Sequence, residues 1–409
     1  MGARKTDNGQ RTTKQQHWIT AGEASRLLDV NRATLYAYVS RGYMRSEPVP
    51  GKPRERRYSR EDVERLRSRN EERRNPEKAA ERALQWGMPI MESSLTLIAG
   101  GSVYYRGHEV AELARTRSVE EVAALLWTGD FEADIFDTPL HVISGGASED
   151  LPLMNRAQSI LPLVAARDPL AFDLRPKAVA QTGWRIVNLL TSVFANTQEL
   201  EPTVEETLAR AWCPDVRSAP ELIRAALIAT ADHELNVSSF TARCVASAGA
   251  NPYGVVLAGL AAIEGTKHGG ATVRVEALMN ELRRSRDLRK ALSDRLRRGE
   301  PIEGFGHPLY PAGDPRAKVL YELLDRAFPR SKELQFAHAL EEAGEKLRGE
   351  KATIDYALVA LARVLELPPG APLALFALGR TIGWIAHAIE QYAHQGIIRP
   401  RAKYVGEMP

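Results

Sequence analysis

Residues 304–317 constrain the fold of this 409-residue chain more than any other segment. They read GFGHPLYPAGDPRA, with three glycines and three prolines. Because proline has no backbone N–H and glycine favours other conformations, this segment cannot be a regular helix. It places His307 nine residues ahead of Arg316. A surface turn would explain the pattern, and so would a rigid loop that holds a histidine for chemistry.

Beyond about Pro76 the chain reads as long helices separated by short Gly/Pro breaks. Residues 119–127, 221–231 and 240–248 carry apolar side chains at helical spacing, and residues 255–263 are apolar on nearly every side. A helix that is apolar all round belongs in the interior of a large helical domain. We see no convincing alternating strand and no repeat of fixed period. The sequence therefore predicts a mainly α body.

Composition indicates an ordinary soluble protein, with 44% apolar and 26% charged residues. Its two cysteines, Cys213 and Cys244, offer no disulfide framework and suit a reducing compartment. The N-terminal residues lack the apolar core of a secretory signal, and the most apolar late segment, residues 372–390, is interrupted by Arg380. We expect a cytoplasmic protein with no membrane partner, and a disordered tail over residues 1–16.

Charge is distributed unevenly along the chain. Residues 1–75 hold 18 Lys and Arg against 10 Asp and Glu, a net of +8, whereas the whole chain has a net charge of +3. The remainder is therefore mildly acidic. A basic head on an acidic body predicts two parts with different partners.

The basic head carries the pattern of two short helices joined by a tight turn. Residues 20–23, TAGE, have the spacing of a capping box at a helix start. Asn31 can cap a second helix over residues 32–41. A loop, VPGKPRERRYS, follows, and Ser59 opens a third, highly charged helix. The pattern predicts a helix-turn-helix.

Residues 17–75 resemble the DNA-binding domain of the MerR/excisionase family, a winged helix-turn-helix. The matching pieces are GEA at 22–24, RATLY at 32–36 and RRYS at 56–59. The resemblance implies two sets of DNA-binding residues. Those facing the groove or backbone are Arg32, Thr34 and Tyr36, and those placed on phosphates are Lys52, Arg54, Arg56 and Arg57. A small module that binds a protein, or binds nothing, is the alternative.

Three segments of the body carry residues suited to acid–base chemistry. His268 lies beside two glycines ahead of a helix predicted at roughly 272–285. His307 and Arg316 belong to the rigid segment above, and Asp355 starts another apolar helix. Each alone is more often a turn residue or a helix cap. Together, two histidines and a carboxylate backed by arginines can deprotonate a carbon acid and bind a small dicarboxylate.

These segments also resemble the citrate synthase family, in which they occur in the same order. The resemblance covers most of residues 86–409, and its further motifs are MESSL at 91–95, YRGH at 105–108, ADHELN at 231–236, ALGRTIGWIAH at 377–387 and RPR at 399–401. It implies a mainly α citrate synthase fold over 76–409, with large and small helical domains. The small domain would be inserted at roughly 268–360, and the winged helix-turn-helix would precede both.

The resemblance also implies a role for each matched residue. In the catalytic set, His307 would polarise and protonate the ketone of oxaloacetate, His268 would stabilise the enol of acetyl-CoA, and Asp355 would remove a methyl proton. The residues that would bind oxaloacetate are His233, Arg316, Arg380 and, reaching in from the partner subunit of a homodimer, Arg399. The family needs no metal and no cofactor, since acetyl-CoA is a substrate.

Physical chemistry supports these roles. An acyl-CoA methyl is a weak acid, so a carboxylate base needs an electrophile on the thioester oxygen in the same transition state. A histidine near a helix N-terminus tends to stay neutral, because the positive end of the helix opposes further positive charge. Neutral His268 could then donate a hydrogen bond to the developing enolate. An arginine matches a carboxylate through its planar fork and keeps its charge.

Four positions depart from the common family pattern. Pro308 and Pro311 stand where many members carry a basic or small residue and a basic residue near the CoA phosphates. Thr272 and Thr353 stand where asparagine is common. The sequence therefore allows three hypotheses of function. The first is condensation of acetyl-CoA with oxaloacetate to citrate, a tricarboxylic acid cycle acyltransferase. The others are a 2-methylcitrate synthase that uses propionyl-CoA, and a transcription regulator whose body senses a metabolite. The intact catalytic set favours the enzyme.

Overall fold

A computed structural model describes residues 18–41, 43–49, 51–63, 66, 91–136, 150–394, 396–402 and 404–408. Of residues 52–54 it describes the backbone alone. The chain divides into two compact units, Met1–Glu92 and Ser93–Pro409. Each unit has its own hydrophobic core. The predicted tail over 1–16 and the predicted boundary near residue 76 lie outside the described residues.

The first unit combines two helices with a small antiparallel sheet. Its elements are β1 (Trp18–Thr20), α1 (Ala21–Leu28), α2 (Arg32–Ser40), β2 (Ser46–Val49) and β3 (Lys52–Ser59), and the strand order is β1-β3-β2. The capping box between Thr20 and Glu23 is confirmed, and so is the Asn31 cap, whose Oδ1 accepts the Thr34 N–H at 2.9 Å. A helix-turn-helix with a wing results.

The loop predicted after α2 is wrong for most of its length, because residues 52–59 form strand β3. This strand buries Tyr58 and leaves charged residues such as Glu55 and Arg56 exposed. It lacks the apolar alternation by which a half-buried strand is recognised. Pairing with strands on both sides holds it in place.

The second unit opens with another small sheet that the sequence did not predict. Its strands are β4 (Thr96–Ala99), β5 (Ser102–Tyr105) and β6 (His108–Glu109), joined in the order β4-β5-β6. Each strand has four residues or fewer, which is too short for a period of two to stand out from a mainly helical background.

The rest of the second unit is helical, as predicted. In chain order the helices are α3 (Val110–Thr116), α4 (Val119–Thr128), α5 (Leu153–Ala165), α6 (Pro176–Ala195), α7 (Val204–Trp212), α8 (Ala219–Thr230), α9 (Val237–Ser247), α10 (Pro252–Ile263), α11 (Ala271–Leu282), α12 (Leu288–Arg297), α13 (Pro315–Ala327), α14 (Lys332–Arg348), α15 (Ile354–Val364) and α16 (Ala371–Ala393). A short 3₁₀ turn lies at Pro169–Phe172. The predicted extent of a small domain, roughly 268–360, stays a prediction.

Helix α16 forms the centre of this unit. It packs against α4, α6, α8, α9 and α10, and nearly all of its residues are buried. It is long and apolar enough to cross a membrane, but 94% of that apolar stretch is buried inside the protein. Its burial among other helices is what the core helix of a soluble protein looks like.

The crossing of α10 and α16 requires a glycine at position 259. A Cβ added there would lie 2.4 Å from the Trp384 ring. We expect Gly259→Ala to lower the free energy of unfolding by about 1–3 kcal/mol through overpacking. Gly254→Ala, on the same helix, is the matched control, because its Cβ would meet neighbours only at 3.7 Å and beyond. It should be neutral or stabilise by up to about 1 kcal/mol. Denaturant unfolding measures both, and equal effects would contradict the close crossing.

Candidate active site

The loop that carries His307 is tied by backbone hydrogen bonds to the segment that leads into α15. The Gly306 N–H donates to the Lys351 carbonyl at 2.9 Å, and the Thr353 N–H donates to the Gly304 carbonyl at 2.9 Å. Both glycines have a positive φ, +84° for Gly304 and +80° for Gly306, a conformation that residues with a side chain rarely adopt. The glycines of the GFGH motif therefore let this loop lie against the start of the helix that bears the candidate base.

His307 is held in one tautomer by its own loop. Its Nδ1 accepts the Leu309 N–H at 3.2 Å, so the proton of the neutral ring lies on Nε2. Burial, followed by the nearby Arg316 charge, lowers the pKa of His307 to about 4. The ring lies 5.3 Å from that of His233 and 4.8 Å from that of Tyr310, between centroids. His307 is thus a neutral donor at physiological pH.

His233 lies between α8 and α9, and its Nε2 is 2.6 Å from the Tyr310 hydroxyl. The ring is buried. Burial, followed by the charges of Arg316 and Arg380, lowers its pKa well below the usual range. Neutral His233 can therefore bind a polar substrate group but cannot contribute a positive charge.

The small sheet supports the segment that carries His233. The side-chain hydroxyl of Thr96, in β4, donates to Asp232 Oδ2 at 2.6 Å. The Tyr105 hydroxyl, in β5, accepts the Asp232 N–H and donates to its carbonyl, both at 3.0 Å. On the other side, His387 Nε2 lies 3.2 Å from Asp232 Oδ1. Asp232 is fully buried, so the position of His233 is fixed from both sides.

His268 lies in the turn before α11 and contacts a serine. Its Nε2 is 2.8 Å from the Ser238 hydroxyl, which also accepts the Trp384 indole N–H at 3.2 Å. Burial lowers the pKa of His268 to about 3, with a further contribution from Arg380. The histidine is neutral, and the serine beside it decides which ring nitrogen carries the proton.

Asp355 is the second residue of α15, and one of its oxygens is unpaired. Oδ1 is buried and finds no hydrogen-bond partner within the described residues. Oδ2 lies 3.4 Å from the Thr353 hydroxyl, at the limit of a hydrogen bond. Burial raises the pKa of Asp355 to about 6, against the lowering effect of Arg316. A carboxylate with these properties is ionised at neutral pH and suited to accept a proton.

Two arginines supply positive charge. The Arg316 guanidinium is buried and bonded to Asp314 through Nε and Nη2, at 3.0 and 2.8 Å. Burial lowers the pKa of Arg316, but the Asp314 charge outweighs that effect and raises it. Arg380, on α16, donates from Nε to the Thr230 carbonyl at 2.8 Å. Its buried Nη1 and Nη2 have no partner in the part of the chain that the structure describes, and burial lowers its pKa to about 10.

The structure brings six of the seven predicted substrate and catalytic residues into one cluster. They are His233, His268, His307, Arg316, Asp355 and Arg380, linked by the contacts and charge interactions above. The seventh, Arg399, is exposed in the extended segment after α16. Within the described ranges, no group of three or more His, Cys, Asp or Glu side chains is arranged to hold a metal ion.

Sequence reasoning missed three neighbours in this cluster. Tyr310 and Asp314 lie in the rigid segment itself, and Asp314 stands directly before a proline at a helix start, which is the signature of an N-cap. The sequence therefore contains a local signal for the position of Asp314. Ser238 had none, because its contact with His268 spans 30 residues and exists only after folding.

The predicted DNA-binding residues are only partly described. Arg32 and Tyr36 are exposed on α2, and Arg56 is exposed on β3. Arg57 is paired with Glu47, with Nε 2.6 Å from Oε1, so part of its charge is already neutralised. Thr34 is half-buried and bonds to Asn31. The side chains of Lys52 and Arg54 lie outside the described residues.

The second unit is a helical protein body whose interior holds a buried carboxylate, neutral histidines and two buried arginines in one cluster. The family model for the citrate synthase C-terminal domain matches residues 83–401, and a helix-turn-helix domain model matches residues 18–71. The citrate synthase of Haloferax volcanii is 31% identical over 360 residues, which cover 78% of this chain and 94% of that protein. Citrate synthase 2 of Bacillus subtilis is 27% identical over 351 residues, covering 78% and 94%.

Solved structures agree. Citrate synthase from Thermotoga maritima matches with a TM-score of 0.66 and 27% identity, over 79% of this chain and 95% of that one. Citrate synthase from Thermoplasma acidophilum, solved with carboxymethyl coenzyme A and oxaloacetate, matches with a TM-score of 0.68 and 25% identity, over 80% and 96%. The chain belongs to the citrate synthase family and carries a helix-turn-helix domain ahead of the matched region.

Proposed function

We propose that this protein is a citrate synthase, which joins acetyl-CoA to oxaloacetate and then hydrolyses citryl-CoA to citrate and CoA. The observation that carries the proposal is the buried Oδ1 of Asp355, which has no hydrogen-bond partner among the described residues and lies in one cluster with two neutral histidines and two arginines. A buried carboxylate that is ionised and unpaired is suited to remove a proton from carbon.

In the first step, Asp355 takes a methyl proton from acetyl-CoA while His268 donates to the thioester oxygen. The Ser238 hydroxyl has a single proton and lies 2.8 Å from both His268 Nε2 and Asn236 Oδ1. Asn236 Oδ1 already accepts the N–H groups of Ser238 and Ser239. When Ser238 donates to Nε2, the neutral His268 ring carries its proton on Nδ1, where it can stabilise the enolate oxygen.

In the second step, the enol carbon attacks the ketone of oxaloacetate. The Nε2–H of His307 donates to the ketone oxygen and passes it the proton as the new carbon–carbon bond forms. The carboxylates of oxaloacetate are bound by Arg380, through its unpaired Nη1 and Nη2, and by Arg316. His233 adds a neutral contact. Because Arg316 is already paired with Asp314, it contributes directed hydrogen-bond donors, whereas Arg380 also contributes net positive charge for the dianionic substrate.

Two of the residues that depart from the family pattern, Thr272 and Thr353, contact the backbone of the site loops. The Thr272 hydroxyl donates to the Gly269 carbonyl at 2.7 Å, beside His268. The Thr353 hydroxyl lies 3.3 Å from the Gly304 carbonyl, where the two loops meet. Both threonines therefore contact the backbone of the site loops, and neither contact selects the thioester.

Propionyl-CoA is the alternative thioester. A Bacillus subtilis relative named citrate/2-methylcitrate synthase is 27% identical over 336 residues, so both names occur among similar proteins. Free-thiol release from acetyl-CoA and from propionyl-CoA, each with oxaloacetate, decides between them. A higher kcat/KM for propionyl-CoA would make the protein a 2-methylcitrate synthase. We place the reaction in the cytoplasm, without a metal or a further cofactor.

Asp355→Asn should lower kcat by about 10²–10⁴, because the base is lost, while the circular dichroism spectrum stays that of the parent. In the parent, kcat should fall as the pH drops below about 6, because the pKa of Asp355 is raised to about 6 and the protonated acid cannot accept the methyl proton. Thiol release measures both. Activity of the variant within about twofold of the parent would overturn the assignment.

We also propose a homodimer in which Arg399 completes the partner's site, as the family resemblance implies. The variants Asp355→Asn and Arg399→Ala should each be weakly active alone. Mixing them under subunit exchange should restore about one quarter of the parent activity, because half of the dimers are mixed and one of their two sites has both residues. If Arg399 serves its own subunit, every site in the mixture lacks one residue and no activity returns.

We propose that the helix-turn-helix domain binds duplex DNA, which is supported by the net charge of +8 over residues 1–75 and by exposed Arg32 and Tyr36 on α2. DNA affinity should fall steeply as salt rises. Arg32→Ala should reduce the slope of log affinity against log salt by about 1. Lys177→Ala removes the same charge from an exposed position of the second unit and should leave the slope unchanged. If no DNA library binds in a salt-dependent way, the domain is a protein-binding module or one that no longer binds anything.

A DNA-binding domain also keeps the regulator hypothesis open as an additional role. It does not conflict with catalysis, since every proposed catalytic and substrate-binding residue lies beyond position 93.

A further inference from the structure

Asp314 makes four hydrogen bonds that join two functional elements. Its Oδ1 accepts the backbone N–H of Arg316 and the Nε of the same residue, both at 3.0 Å. Its Oδ2 accepts the Arg316 Nη2 at 2.8 Å and the backbone N–H of Ile354 at 3.1 Å. Ile354 is the first residue of α15 and directly precedes Asp355. One carboxylate therefore holds both a guanidinium and the start of the helix that carries the base.

This carboxylate has no other visible task in the described structure. It is buried, with 4% of its surface exposed. An N-cap alone needs only the bond to the Arg316 N–H, and any short polar side chain makes that bond. Burial raises the pKa of Asp314, but the Arg316 charge outweighs it and keeps the pKa low. A buried charge is costly, so its retention calls for more than a cap.

The geometry of Arg316 shows what the bonds to Asp314 achieve. Asp314 accepts from Nε and Nη2, which fixes the plane of the guanidinium. Nη1 takes no part in this pairing. The group also lies over the Tyr310 ring, 5.4 Å from its centroid. A planar guanidinium held on two sides keeps a single orientation, which is what bidentate or directed contact with a substrate carboxylate requires.

We propose that Asp314 is a positioning residue that fixes Arg316 relative to Asp355. The same carboxylate then determines the position of the substrate carboxylate, through Arg316, and the position of the base. The inference rests on the proposed function, because it assigns Arg316 to oxaloacetate and Asp355 to proton removal. It concerns how the two substrates are aligned with each other, not which groups react with them.

Three effects should follow when Asp314 is replaced by asparagine. The amide cannot accept all four N–H groups, so Arg316 loses its fixed plane and the KM for oxaloacetate should rise by about 10–100-fold. The start of α15 loses its bond, and kcat should fall by about 10–100-fold through misplacement of Asp355. The KM for acetyl-CoA should change little.

The acid side of the pH profile should also move. Of the charged groups around Asp355, Asp314 raises its pKa and Arg316 lowers it, and Arg380 is a third neighbour. Removing the Asp314 charge eliminates the raising effect and leaves the Arg316 charge unmasked. Both changes lower the pKa of Asp355, so the fall in kcat should begin at a lower pH than in the parent.

The chain contains a matched control for this experiment. Asp173 and Arg175 form the same local pattern, in which Asp173 Oδ1 accepts the Arg175 backbone N–H at 3.1 Å and its Nε at 2.9 Å. That pair is on the surface, with 85% of the Arg175 side chain exposed. Asp173→Asn removes the same charge and weakens the same local bonds at an exposed position. It should leave both KM values, kcat and the pH profile as in the parent.

The experiment measures initial rates of the full-length parent, Asp314→Asn and Asp173→Asn against each substrate and against pH. If Asp314 serves stability alone, the variant contains fewer active molecules, and kcat falls while both KM values and the acid limb stay in place. That result overturns the proposal. An equal change of the two KM values overturns it as well.

Asp314→Ser keeps an oxygen for the helix cap and is used in the same way if the asparagine variant does not fold. Failure of both to fold, with a folded Asp173→Asn, assigns Asp314 to stability and also overturns the proposal. A folded parent that releases no thiol with either acyl-CoA contradicts the proposed function instead, so the two failures are distinguishable.

Discussion

The active site depends on two guanidinium groups being buried in a helical interior. Arg316 is neutralised by Asp314, whereas Nη1 and Nη2 of Arg380 have no partner among the described residues. Their charges help to keep the pKa values of His233 and His268 low. Arg316 also limits the rise in the pKa of Asp355. Burial is the larger cause of these shifts, and the two arginines proposed to bind the dicarboxylate adjust the protonation states further.

Local signals account for most of what the sequence predicted about the fold. The capping box at Thr20 and the Asn31 cap depend on neighbours within a few residues, so a single sequence shows them. The strands escaped notice for the opposite reason. Strand β3 is stabilised by partners on both sides, and β4 to β6 are too short for a period to appear.

The same distinction between local signals and long-range contacts applies to the residues of the site. Motif spacing and family resemblance identified His268, His307 and Asp355, and the structure places them together. Ser238 and the fixed tautomer of His307 could not be found this way, because they depend on contacts that form only in the folded protein. Asp314 is an intermediate case. Its cap position could be predicted from Asp-Pro-Arg, but its bond to Ile354 spans 40 residues.

The central position of α16 has a consequence for how the protein is made. Its packing partners α4, α6, α8, α9 and α10 all precede it in the chain, so the ribosome synthesises them first. Until residues 371–393 emerge, those helices lack the apolar surface against which they pack in the folded protein. Because Arg380 lies on the same helix, the proposed substrate site is incomplete until the core closes. The helix-turn-helix unit, with its own core, can fold long before that moment.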